Sequence, residues 1–202
     1  QLKTEADLKS FQSALQEKVR SAARFEPPRV PLNLRSLGSA QREGYRIERL
    51  LFDSDAGRYV PALLAVPEGA RRGQPVIYVD QQGKAAGFGP AGSAEQLVKL
   101  GYVVLALDPA GVGETTSDWS YGASSAGWFG QEKVTWLAMM VGRTLVGLRM
   151  ADIVRGLDVL TERKLLGPGS AIGFARGNAG VDLLHAAVMD SRIGGAIVEE
   201  GL

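Results

Sequence analysis

Apolar residues recur along this chain in three rhythms, and each rhythm predicts a different kind of element. In TEADLKSFQSALQEKV, Leu8, Phe11, Leu15 and Val19 return every three or four positions, which places one apolar stripe on a helix. Thr4 followed by Asp7 predicts a capping box at its start. FEPPRVPLNLRSLG breaks that spacing. Proline cannot continue a helix and biases its predecessor to extended angles, so an extended connector is expected. In YRIERLLFDSDAGRYVPALLAVPEG two β-rich runs flank Ser54-Asp55-Ala56-Gly57, the pattern of a hairpin.

The third rhythm is one of short uninterrupted apolar runs. PVIYVD (75–80), YVVLALD (102–108), SAIGF (170–174) and GAIVEE (195–200) all read as fully buried strands. Helices are predicted between them. One runs from Ser93 to Leu100, with Ser93 and Gln96 as a capping box and Gly101 as its stop, and another from Gly177 to Met189. Buried strands alternating with helices predict an α/β fold. Its sheet is mostly parallel with helices on both faces, and the hairpin adds an antiparallel part. Residues 1–40 form the first helix and connector, and 41–202 one domain containing six strands.

Roughly 60 residues separate the second and third parallel strands. Their first part, SDWSYGASSAGWFGQEKVTW, is rich in Gly, Ser and aromatics and is expected to be irregular, in an insert of about 115–142. The second part, RTLVGLRMADIVRGLDVLTERK, predicts an amphipathic helix. Met150, Ile153, Leu157 and Leu160 take the buried face; Arg149, Asp152 and Arg155 take the opposite, solvated face, where their charges pair.

Composition narrows the function classes. The chain has 202 residues, 45% apolar and 22% charged, with a net charge of +1, so no overall field draws it to nucleic acid or an anionic membrane. No run of about 18 apolar residues is present to span a bilayer. With no cysteine and one histidine, disulfides, thiolate chemistry and a clustered metal site drop out, and no cofactor is expected. The chain starts at Gln1 and stops just after what reads as a core strand, so it is expected to be a piece of a longer protein whose C-terminal part is missing.

Candidate chemistry lies in the glycine-rich loops. IGFARGNAG takes a strand into a helix, as the nucleophile elbow Gly-x-Ser-x-Gly does, with Gly173 and Gly177 as the small flanking residues. DQQGKAAG and DPAGVGET follow the first two buried strands, and such loops converge on one cleft at the carboxyl ends of a parallel sheet. Nucleotide readings fail here. GVGETT lacks a third glycine, and Lys84 has no Ser or Thr at Walker spacing.

The succession GYRIERLLFDSDAGRYVPALLAVPEG, DQQGK, AEQLVKLGYVVLALDPAGVGET, LRMADIVRGLDVLTER and IGFARGNAGVDLLHAAVMDSRIGGAIVEE resembles the acetyl xylan esterase-like group of α/β-hydrolases. That group is related to the dienelactone-hydrolase and prolyl-peptidase-like branch. The resemblance implies an α/β-hydrolase fold and a serine esterase acting on small carboxylic esters or acetylated carbohydrates. It also implies departures. Ala175 stands at the nucleophile position, and Ala110 replaces the arginine of the Asp-x-Arg-Gly motif. The oxyanion amides would be those of Arg176, Gln81 and Gln82, and the triad histidine and acid would lie beyond Leu202. Glu199 or Glu200 is a candidate acid, weighed against a carboxylate that simply faces solvent at a strand end. His185 lies ten residues past Ala175, about 15 Å of helical rise against a hydrogen-bond reach of about 3 Å, so it cannot serve as the base.

Trp119, Trp128 and Trp136 could form a sugar-stacking rim, against the commoner role of local packing. The expectation is therefore an esterase-like protein without serine turnover; the alternative is a noncatalytic module that binds carbohydrate or a partner protein. Relatives of this kind are often exported, which implies a secreted or periplasmic location.

Overall fold

The computed structural model describes residues 4–69, 74–116, 130–167 and 169–201, with the side chains of 130–133 left aside. Seven strands form one sheet: β1 (Arg35–Arg42), β2 (Tyr45–Asp55), β3 (Arg58–Pro67), β4 (Val76–Asp80), β5 (Val104–Leu107), β6 (Ala171–Arg176) and β7 (Ile193–Glu199). Their spatial order is β1-β2-β3-β5-β4-β6-β7. The β1-β2-β3-β5 part is antiparallel and the β5-β4-β6-β7 part is parallel.

Strand alternation sends β4 to both faces. Ile77 and Val79 enter a core with α4 (Leu145–Glu162) and α5 (Ala179–Met189), whereas Val76 and Tyr78 join a second core under α2 (Ser93–Lys99). Met150, Ile153, Leu157 and Leu160 are fully buried, as their spacing predicts.

The opposite side of α4 departs from expectation. Arg149, Asp152 and Arg155 are buried and bond to other elements, because α4 is enclosed on that side as well. Asp152 accepts from Arg58 of β3 and from the Ala110 amide. Arg155 donates to the carbonyls of Asp53 and Val30 and pairs with Asp158. Burial pushes the Asp152 carboxyl up, against the opposing pull of Arg58.

Other expectations are corrected in the same way. The first helix, α1 (Glu5–Ala23), begins with the predicted Thr4–Asp7 capping box. Leu8, Phe11 and Leu15 of its stripe are nevertheless exposed, and only its C-terminal end, through Val19 and Ala23, reaches the core. Part of the extended connector is the exposed strand β1, which the period-two signal misses because neither face is apolar. The helix α2 has Gly92 as its N-cap with no side-chain cap, and Ser93 instead donates to Glu199. Residues 130–136, expected to be irregular, belong to α3 (Gly130–Met140). Trp119 and Trp128 lie outside the described residues. The last strand, read as buried, is largely exposed: among the described residues β7 is the edge of the sheet.

Replacing Asp152 by Ala leaves the Arg58 guanidinium and the Ala110 amide without their shared acceptor. A loss of about 3–5 kcal/mol is expected in the unfolding free energy from urea titration.

Candidate functional site

Three loops leave the carboxyl ends of β4, β5 and β6 and face one another. The first two are held together by Lys84, which is 3% exposed. Its ammonium donates to Asp108 at 2.6 Å and to Glu114, and its backbone amide donates to Asp108 at 2.6 Å. The Glu114 amide donates to the same carboxylate at 2.9 Å. The loop after β4 is thus tied to the loop after β5 by a buried ammonium held between two carboxylates.

Between these loops and the start of α5 lies a cavity of about 240 Å³, lined in part by Gln82, Pro109, Val112, Arg149, Asn178 and Asp182. A groove of about 300 Å³ on the outer side of the β2–β3 hairpin, lined by Arg46, Glu48 and Glu68, is remote from the strand ends. The position at the strand ends is the one where open α/β sheets place ligands, so the smaller cavity is the candidate site.

The turn from β6 into α5 is shifted relative to the expected elbow. Residues Ala171 to Arg176 stay in the strand, where Ala175 pairs with Val79 and Val198 and is fully buried. The residue with left-handed backbone is Gly177, at φ 64°, with Ala175 two positions before it and Ala179 two after. Ala175 does not line the cavity. Gly173, expected at the turn, is also in the strand. A Cβ there would lie 2.6 Å from Leu183 Cδ1, so its glycine serves helix-on-sheet packing. Gly180 serves the same end, since a Cβ there would lie 2.5 Å from Val198 Cγ1.

The amides expected to hold an oxyanion are already engaged. The Gln81 amide donates to the Arg176 carbonyl, and the amides of Gln82 and Gly83 donate to Asp80. The Asn178 amide, which follows the turn, donates to the Gln81 side-chain oxygen at 3.0 Å. That same side chain occupies the space next to Gly177, where any Cβ would run into it. Arg176 lies in β6, paired with Asp80 on one side and Glu199 on the other.

The acidic candidates also serve the surface. Glu200 pairs with the Arg176 side chain at 3.0 Å, and hydrogen bonding to that guanidinium lowers its pKa. Glu199 accepts from Ser93 and lies 3.7 Å from Arg176. His185 is half-buried along α5 and contacts its own helix at the Val181 carbonyl, 2.7 Å away.

Three cleft residues escaped the sequence reading. Arg149 reaches from α4 to the loop at Ala110, donating from Nε to its carbonyl at 2.9 Å, so a guanidinium stands at this loop although position 110 carries none. It also pairs with Asp182 at 3.3 Å. Burial, partly offset by Arg149, pushes the Asp182 carboxyl up to about 6. Asp80 accepts from the Tyr78 hydroxyl at 2.9 Å, beneath the stack of Tyr78 on Phe174. The available signal was a charged residue breaking each apolar run, such as Asp182 in GVDLLHAAV.

No family model matches the chain, and no curated protein does. Solved structures do. A protein from Bacteroides fragilis assigned as an acetyl xylan esterase superposes with a TM-score of 0.79 at 17% identity, over 95% of this chain and 53% of its own. The acetyl xylan esterase from Paenibacillus sp. R4 gives 0.62 at 20% identity, over 97% and 60%. A glucuronoyl esterase from Solibacter usitatus gives 0.62 at 14% identity, over 93% and 58%. The fold is therefore the α/β-hydrolase fold of esterases, and the chain spans little more than half the length of these neighbours.

Because the folded Asp182 holds its proton more tightly than the ordinary carboxyl at 3.8, its contribution favours folding below about pH 4 and is lost as pH rises through about 6. Chemical denaturation from pH 4 to 8 should show Asp182→Asn gaining stability relative to wild type as pH rises, by up to about 3 kcal/mol, with a plateau above pH 7. A pH-independent difference would disprove the assignment.

Proposed function

We propose that this chain forms an esterase-type cleft that holds a small ester or an acetylated carbohydrate without serine catalysis. One observation carries the reading: the left-handed residue between β6 and α5 is Gly177, and the Gln81 side chain both fills the space beside it and takes the Asn178 amide. In a nucleophile elbow the reactive serine occupies that strained turn, and the following amide points at the developing oxyanion. We assign the nucleophile position of this chain to Gly177, two residues beyond the place the sequence resemblance gave it. Neither Ala175 nor Gly177 has an atom that can attack a carbonyl.

The carbohydrate part of the reading draws on the neighbours, which act as acetyl xylan or glucuronoyl esterases by name. The cavity supports a small ligand: at about 240 Å³ it lies near the lower limit of typical ligand sites, and the side chains of Gln82 and Asn178 line it. A partner protein is the second reading, favoured by the exposed Trp136, Leu137 and Met140 of α3.

The chain is expected to take no covalent label from a fluorophosphonate by intact-mass spectrometry and to release no acetate from acetylated xylose. Adding that sugar should shift the amide resonances of Gln82, Asn178 and Ala179. A stoichiometric adduct, or acetate release above the buffer rate, would refute the proposal.

A further inference from the structure

The first three turns of α1 leave the body of the protein. Every residue from Thr4 to Lys18 is exposed, and Val19 is the first to be half-buried. The Gln16 side chain donates to the Val188 carbonyl at 2.9 Å, beside the end of α5, and Ala23 is buried in the core. From Thr4 to Gln16 the helix advances about 18 Å. Its cap of Thr4 with Asp7 and the ion pair of Glu5 with Lys9 at 2.7 Å support this arm locally. A free helix of that length is marginal in water, so the arm gains stability from a surface to pack on. The face it presents is apolar: Leu8 is 42% exposed, Phe11 53% and Leu15 37%, at the spacing that sets them in one stripe.

We propose that this stripe is the contact between two copies of the chain, α1 against α1 in antiparallel pairing about a two-fold axis near Gln12. The stripe is self-complementary in that arrangement. Leu8 meets the partner's Leu15, and Phe11 meets the partner's Phe11 at the centre, so that both copies bury the same three side chains.

Charge selects the occupant and its direction. Asp7 and Lys18 are eleven residues apart, about three turns, so they flank the stripe on one side, near its two ends. In the antiparallel pair Asp7 lies beside the partner's Lys18, and symmetry makes that contact twice. A parallel pair would set Asp7 on the partner's Asp7 and lysine on lysine, and a partner of one sign would suit one end of the stripe and repel the other. Asp7 also closes the helix cap, a role that leaves its negative charge in place. The contact lies off the C-terminal end of α5, whereas the cleft lies at the N-terminal end, so the pairing is independent of what the cleft holds.

Sedimentation velocity from micromolar to near-millimolar chain is expected to show a reversible monomer–dimer equilibrium, weak because the contact is small. Phe11→Ser, at an exposed position, should weaken the dimer about tenfold or more while leaving the monomer's unfolding midpoint in place. Lys18→Glu should weaken it about fivefold at low salt and less at high salt. Because the chain has no cysteine, single introduced thiols report the geometry. A short bismaleimide should join Gln12→Cys to its twin near the axis, and should fail with Glu5→Cys, whose twin is about 20 Å away. A monomer over the whole range, including one whose stripe adsorbs to phospholipid vesicles instead, would overturn the pairing. So would a dimer that Phe11→Ser leaves intact, or cross-linking through Glu5→Cys in preference to Gln12→Cys.

Discussion

Much of this molecule hangs on one buried carboxylate. Asp152 has no exposed surface, and its acceptors are filled by the guanidinium of β3 and by an amide of the loop after β5. Isolated in an apolar interior that charge would be prohibitive; hydrogen-bonded on both oxygens it becomes a joint between sheet, loop and helix. Because α4 is pinned there, Arg149, one turn earlier, is delivered to the cleft, and Arg155, one turn later, donates to the carbonyls of Val30 in the connector and Asp53 in β2. Three residues spaced by three on one helix thus set the position of the site.

The fold was readable because its signals are periodic and repeated. Four apolar runs alternating with helical patterns leave little choice but a parallel sheet, and the four strands stand in it as expected, whereas the exposed β1, the seventh strand of the sheet, had no such signal. What escaped was decided by tertiary enclosure. Arg149, Asp152 and Arg155 look like an ordinary solvated face, since nothing local reveals that loops and β3 cover that side. The stripe Leu8, Phe11 and Leu15 fails in the opposite sense: it has the periodicity of a buried face and is exposed. The turn after β6 lies further along the chain than its glycine pattern suggests, for a related reason. Gly173 carries the sequence signature of a turn, yet its glycine is required by Leu183 packing across it, and the strand continues to Arg176.

Seen against the neighbouring esterases, the chain keeps the scaffold over little more than half of their length. At the strand ends the amides of Gln82 and Asn178 are satisfied internally, by the side chains of Asp80 and Gln81. Arg149 Nη2, enclosed within the protein, is left without a hydrogen-bond partner among the described residues.

The Lys84–Asp108–Glu114 clamp has a consequence for the thermodynamics of occupancy. Loops that must be ordered by their ligand charge that ordering against affinity, as lost conformational entropy. Here two of the three loops around the cleft are fastened in advance, by a buried lysine whose ammonium bridges two carboxylates. Two walls of the cleft are therefore set in advance, and a guest that used them would have only the third loop left to order.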